Sequence, residues 1–467
     1  MNGLVWLRSD IRIDDNPALS FADSECDSII CIYLHAKKEW SDHNNANVKL
    51  DFILQNIADL SKNLDKFNIQ LCSLELDSFE VIPEFIIKLC KENNINKCYW
   101  NNEFGVDENI RDKNVIKALN EHKIEFQSFD DQVVFQPGTI LTGQGKPFSV
   151  FTPFKKKWIE SFSMDHFDIE NKLTKKTIQT DLPFAEISFI RSHQVNMELW
   201  PAGEKAATQR LLSFLEEKVS NYSKNRNHPI IDGTSRLSPY LAIGAISSRR
   251  CLLEALKLNK FELSTGNKGI IKWIDELIWR EFYKNIMHSF PRVSMNQPFN
   301  LATKKIPWRF EQDEFEAWKL GKTGFPLIDA AMYQLINEGW MHNRLRMVVA
   351  MFFTKNLLHD WRLGEAYFMN NLIDGDFASN NGGWQWSAST GTDAAPYFRI
   401  FNPVTQSQNF DPEGEFIKQH LPQLEPLSAK DIHLPPTERL SDIDYPNPIV
   451  ELKTSRLRAI EVFKNNK

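Results

Sequence analysis

The chain has 467 residues, 42% of them hydrophobic and 25% charged, which are proportions of a folded protein and exclude a disordered or collagen-like one. That length exceeds what a single core ordinarily organises and predicts two or three units. A net charge of −6 argues against a surface that faces a polyanion throughout, and the six cysteines make no CxxC pair and no Cys/His zinc spacing.

Reading from the N-terminus, MNGLVWLRSDIR lacks the three regions of a secretory signal, and no apolar run is long enough to span a membrane. The expectation is a cytoplasmic protein with reduced thiols, no metal and no membrane partner. Residues 1–130 alternate short apolar runs (LVWL, IICIYL, IQLCSLEL, KCYW) with helical patterns such as VKLDFILQNIADLSKNLDKF and FEVIPEFIIKLCKENN. Strands separated by helices of that length predict a Rossmann-like α/β domain with a parallel sheet. No GxGxxG follows the first strand, so a dinucleotide bound in the usual way at that turn is not expected.

From 131 to 200 the pattern breaks into Pro-, Gly- and Lys-containing pieces and reads as an interdomain linker, with Lys155, Lys156 and Lys157 on a solvated face. Residues 201–467 carry long helical periods and predict an all-α second domain. Charge is uneven: residues 1–200 hold 22 basic against 31 acidic residues, whereas 201–400 hold 25 against 20. The central excess hints at nucleic acid, although scattered surface charge explains it equally well.

Eight of the 13 tryptophans lie between Trp273 and Trp386. In WIDELIWREFY, helical spacing puts Trp273, Glu276, Trp279 and Arg280 on one broad stripe. A carboxyl between two indoles is costly to bury unless it is protonated or bonded to something polar, such as a ligand. In NRLRMVVAMFF, Asn343, Arg346 and Met347 share a face while Arg344 points elsewhere; Arg346 either reads a ligand or pairs with a carboxylate such as Asp374. Asp374 to Trp386, DGDFASNNGGWQW, fits neither an ordinary helix nor an ordinary strand and suggests a wall facing a ligand.

Five strings in order, GTSRLSPYLAIG, WIDELIWREFY, GKTGFPLIDAAMYQL, GWMHNRLRM and DGDFASNNGGWQWSASTGTDAAPYFRIFNP, resemble the FAD-binding domain of the photolyase/cryptochrome family. The likeness is closest to bacterial class I cyclobutane pyrimidine dimer photolyases and covers nearly the whole chain. It implies light-driven repair of pyrimidine dimers in DNA by electron transfer from excited reduced, anionic FAD to a flipped-out dimer, by a monomer. By the same resemblance, Tyr222, Thr234, Ser235, Arg236, Leu237, Ser238, Trp273, Arg280, Arg346, Asp374, Asp376 and Asn380 hold FAD, with Asn380 facing flavin N5. Glu276 and Asn343 hydrogen-bond the dimer, Trp279, Trp386 and Met347 enclose it, and Arg226 and Arg344 meet the DNA backbone. Trp384, Trp361 and Trp308 form the chain that re-reduces oxidised flavin.

An antenna near His43 and Glu108 is implied for folate-binding members. Met295 stands here where such members often have lysine, and Asp107 where they often have asparagine, so the lost cation and gained anion disfavour an acidic tail. Methenyltetrahydrofolate, a deazaflavin and no antenna all stay open. The alternatives to a repair enzyme are a cryptochrome-type blue-light receptor and a flavin electron-transfer protein without DNA; a receptor often carries a long tail, whereas this chain stops at TSRLRAIEVFKNNK.

Overall fold

The computed structural model describes residues 1–167, 173–177 and 195–466. These divide into two compact units, the first comprising Met1–Glu217, Ser235–Ser294 and Ile373–Gly375, the second Lys218–Thr234, Met295–Leu372 and Asp376–Lys467.

In the first unit, β1 (Asn2–Leu7), β2 (Ser28–Ala36), β3 (Gln70–Leu76), β4 (Lys97–Asn101) and β5 (Glu125–Phe129) form one sheet in the order β3-β2-β1-β4-β5. Every pairing is parallel. Between successive strands run α1 (Pro17–Glu25), α2 (Asn47–Leu64), α3 (Ile82–Glu92) and α4 (Val106–Glu121). Leu4, Trp6, Ile30, Ile32, Cys98 and Trp100 pack against Ile82, Ile86, Cys90, Val115 and Leu119, which explains why the central strands read as unbroken apolar runs. The edge strand β5 escapes that reading because EFQSF is short and nowhere fully buried.

The order reverses between β1 and β4, the place where open parallel sheets bind nucleotides. Here polar side chains at the ends of both strands bond to one another. Arg8 donates to Asp112 Oδ2 at 2.7 Å, Asn101 Nδ2 donates to Asn16 Oδ1 at 2.8 Å, and the same amide donates to Asp10.

The linker expected over 131–200 lies partly outside the described residues, at 168–172 and 178–194. Its described part includes a regular helix, α5 (Phe151–Ser161). The first unit also holds α6 (Ser248–Leu258) and α7 (Lys268–Ser289). Arg249 on α6 donates to Asp131 Oδ1 at 2.6 Å and to Asp15, and Arg12 pairs with the same Asp131, all within the first unit.

The second unit is helical, and no strand forms among the described residues after β5. Its core is built by α8 (Pro326–Glu338), α9 (Asn343–Met351), α10 (Trp361–Met369) and α11 (Phe377–Ala388), and α12 (Leu452–Asn465) lays Leu452 against it. No helix is long and apolar enough to cross a membrane among the described residues.

The segment from 374 to 386 corrects the expectation that it is neither helix nor strand, because Phe377–Ala388 is α-helical. Asp376 caps it by accepting from Ser379 N at 2.9 Å. Two helical glycines cost about 1 kcal/mol each, and burial of Ala378, Trp384, Gln385 and Ala388 outweighs that.

Candidate functional site

In the first unit the predicted α7 stripe exists, but its members differ in surroundings. Trp273 is buried, donates Nε1–H to Ser235 Oγ at 3.4 Å and packs its ring 5.2 Å from Phe214. Trp279 is half-buried and lies flat on Phe151, centroids 3.7 Å apart. Arg280, one turn further from Glu276, donates to Leu241 O at 3.2 Å and to Gln132 O, so its guanidinium ties two backbone segments to α7.

Glu276 departs from expectation. Its side chain is 29% exposed rather than buried, and Lys272 Nζ approaches to 3.4 Å, one turn before it on the same helix. The buried carboxyl of α7 is Glu281, which sequence reasoning passed over. It accepts from Val134 N at 2.8 Å, Phe135 N at 3.2 Å and Trp158 Nε1 at 2.7 Å, and burial pushes its pKa up to about 7. Nothing in WIDELIWREFY marks it, since its three donors come from residues more than a hundred positions away.

The Ser235–Ser238 run sits just before a short helix, Ser238–Ile243; Leu237 is buried, Ser235 and Arg236 are half-buried, and Ser238 is exposed. Arg236 takes φ +48°, a left-handed turn costly for a side chain with Cβ. Asp374 is buried, and beside it Gly375 O accepts from Lys49 Nζ at 2.7 Å, which fastens that segment to α2.

The antenna candidates do meet. His43 Nε2 is 2.8 Å from Asp107 Oδ2 and Nδ1 is 3.7 Å from Glu108 Oε1. Burial, then the neighbouring Glu103, raises the pKa of Glu108. Burial also opposes ionisation of Glu103, but Arg111 and Arg8 outweigh it and hold that carboxyl at about 2.

In the second unit α9 carries Asn343 exposed at its first position and Met347 half-buried. Arg346 Nε donates to Met341 O at 2.8 Å. Arg344 turns away, as its position on the helix predicts: it donates to Asn227 Oδ1 at 2.9 Å and lies over Phe410 at 4.5 Å. Burial lowers its pKa, and so do Arg226 and Arg399, which marks a place where positive charges crowd. Arg226 lies over the buried Tyr222 ring at 5.4 Å, and Thr234 is half-buried.

Along α11, Asp376 is the cap, Asn380 Nδ2 donates to Glu365 O at 3.0 Å, Trp384 is buried and Trp386 half-buried. That bond uses one of the two N–H groups of the Asn380 amide, and its carbonyl oxygen can act as an acceptor. Beside it lies another residue that sequence reasoning missed. The Glu365 carboxyl is buried, and burial outweighs a hydrogen bond from Asn381 and pushes its pKa up to about 7. Asn381 is likewise buried, its amide hydrogen-bonds the Glu365 carboxyl, and its Oδ1 accepts from Gln385 Nε2 at 2.9 Å.

Trp384 and Trp361 share one core cluster, and the half-buried Trp308 packs against its edge. Trp318, which carried no expectation, also lies against Trp384, with centroids 6.1 Å apart.

Residues 3–174 match the family described as DNA photolyase, and residues 273–465 match the FAD binding domain of DNA photolyase. Over 467 aligned residues the chain is 39% identical to the deoxyribodipyrimidine photo-lyase of Escherichia coli, covering 99% of this chain and 98% of that protein. A class III photolyase from Agrobacterium tumefaciens superposes with a TM-score of 0.90 at 30% identity, covering 100% of this chain and 97% of that one. A Synechocystis cryptochrome does so with 0.83 at 27% identity, covering 99% of each.

Proposed function

The chain belongs to the photolyase/cryptochrome family, and from that premise we propose that it is a light-driven DNA repair enzyme, a carbon–carbon lyase acting on cyclobutane pyrimidine dimers flipped out of the duplex. The observation that carries this reading is the 39% identity to a deoxyribodipyrimidine photo-lyase over nearly the full length of both chains.

The residues present fit FAD. The buried carboxyl of Glu365 and amide of Asn381 flank Asn380, and the Thr234–Ser238 run supplies hydroxyls and backbone N–H groups suited to a pyrophosphate. Tyr222, Trp273, Arg280, Arg346, Asp374 and Asp376 complete the set that the family likeness nominates. Bound in its reduced form, FAD supplies on absorbing blue light the electron that opens the dimer. Asn380 offers an oxygen to an N–H at flavin N5, and as a neutral amide it adds no anion beside an anionic reduced ring.

The remaining residues bind the lesion. A damaged base leaves the stack more cheaply than an intact one. By the family likeness, Trp279 and Trp386 give flat faces for stacking and Met347 a further apolar contact. Glu276 and Asn343 hydrogen-bond the polar edge of a pyrimidine, and docking of the lesion gives Glu276 the enclosure it otherwise lacks. The crowded Arg344 and Arg226 are relieved by a phosphate. Trp308, Trp361 and Trp384 carry electrons inward to an oxidised cofactor.

At the antenna position, Glu103, Asp107, Glu108 and Asp112 stand against Arg8, Arg111 and His43. That balance disfavours the acidic tail of methenyltetrahydrofolate. The protein acts as a monomer in the cytoplasm on this reading, in keeping with six buried free cysteines.

The test is to load the purified protein with FAD, reduce it, and mix it with ultraviolet-damaged oligothymidine in blue light and in darkness. Recovery of thymine absorbance in light alone is expected. No recovery at full FAD occupancy would refute repair and favour the second reading, a light receptor, to which the cryptochrome likeness points.

A further inference from the structure

Helix α5 is seated on α7 through one face, with Phe151, Phe154, Lys155 and Trp158 at positions i, i+3, i+4 and i+7. Trp158 Nε1 donates to the buried Glu281, Lys155 pairs with Asp275 Oδ1 at 2.5 Å, and the Phe154 ring lies 5.2 Å from Phe282. These contacts leave α5 little freedom to slide or roll on α7. Its first residue, Phe151, then lies parallel to Trp279, with an interplanar angle of 9°. Phe282 stands edge-on to both rings, at 5.9 Å from Phe151 and 5.7 Å from Trp279. Phe151 is 7% exposed, whereas Trp279 keeps part of its surface open.

One face of the indole is therefore covered, and a base can stack only on the other. We propose that Phe151 is a positioning residue for lesion binding: α5 holds its ring so that Trp279 is fixed, before DNA arrives, in the plane on which an extruded pyrimidine stacks. The inference rests on the reading of Trp279 as a lesion-stacking residue. An unsupported indole must be ordered during binding, at a cost to affinity that a pre-formed stack removes. An aligned aromatic pair is worth about two- to tenfold in an equilibrium constant.

The test uses the FAD-loaded protein and measures, in darkness, affinity for dimer-containing and undamaged duplexes. Phe151→Leu, which keeps apolar bulk but removes the ring, is expected to weaken lesion binding by about two- to tenfold. Affinity for undamaged duplex and repair yield per photon at saturating lesion should hold, and Phe151→Tyr should restore lesion affinity. In the Trp279→Leu background, Phe151→Leu should cost nothing further. Full additivity of the two substitutions, or equal losses on damaged and undamaged DNA, would overturn the proposal. Should Phe151→Leu fold poorly, Phe151→Met gives the same comparison with a flexible apolar chain. If Trp279→Leu alone leaves lesion affinity unchanged, the stacking role of Trp279 fails and the inference falls with it; if Trp279→Leu weakens binding while Phe151→Leu does not, only the inference falls.

Discussion

Gly364 sits one turn after Trp361 on α10, and a Cβ added there would lie 2.2 Å from Trp384 Cη2 and 2.4 Å from Cζ3. Carbon atoms rest at about 3.5–4 Å, so Gly364→Ala must drive the indole off α10 by roughly 1–1.5 Å. Retreat is opposed, because Phe368 stands edge-on to Trp384 at 5.0 Å, Phe353 at 5.8 Å and Trp318 at 6.1 Å. Overpacking of this kind costs about 1–3 kcal/mol. It also widens the gap between Trp384 and α10, the helix that carries Trp361. Photoreduction of oxidised flavin, followed by its absorbance in blue light with an external thiol, should therefore slow in Gly364→Ala, while repair by chemically pre-reduced enzyme stays near wild type. Trp384→Phe should show the same split. In the double variant the smaller ring removes the clash, so the two stability losses should fall short of additivity by about 1–3 kcal/mol. Wild-type photoreduction in both single variants, or equal loss of repair and photoreduction, would refute the electron route through Trp384.

Glu276→Ala should retain FAD, shift thermal stability little, since an exposed i,i+4 pair such as Lys272–Glu276 contributes about 0.3–0.5 kcal/mol, and weaken lesion binding about tenfold with a lower repair yield; an unaltered yield at full FAD sinks its catalytic role. Arg344→Ala should weaken damaged and undamaged DNA alike and reduce the salt slope by about 1, and a lesion-specific loss in filter binding would contradict a phosphate contact. The Glu365 carboxyl has a folded-state pKa of about 7, above its ordinary value, so its contribution to stability is fully present below the ordinary value and is lost as pH rises through 7. Glu365→Gln should accordingly raise stability at pH about 8.5 by at most about 3 kcal/mol, seen as a higher melting temperature, and the difference should vanish only below pH about 4; a pH-independent difference in thermal scans would show that burial is not the cause.

Much of the architecture is legible in the chain itself. The runs LVWL, IICIYL and KCYW read as strands because the inner strands of a parallel sheet covered on both faces need apolar residues at nearly every position, and that demand is local; IQLCSLEL, at the edge, keeps the run only over its buried middle. Periodicity likewise placed Arg344 off the face shared by Asn343, Arg346 and Met347.

Other features depend on partners distant in sequence. NNGGWQW looks unsuited to a helix by propensity, but a cap from Asp376 and a buried face for Trp384 reverse that preference. FTPFKKKW looks like a linker until Asp275, Glu281 and Phe282 are brought against it. Glu276 and Glu281 are both glutamates on one helix, and only the packing of Val134, Phe135 and Trp158 makes the second the buried one. The sequence by itself determined the inner strands, the long periodic helices and which family's residues stand in order along them, since those follow from side-chain period and identity. Tertiary structure alone decided which carboxyls are desolvated, which indole faces are covered and which tryptophans share a core, because desolvation and stacking are properties of the neighbours a side chain acquires when distant segments close on it.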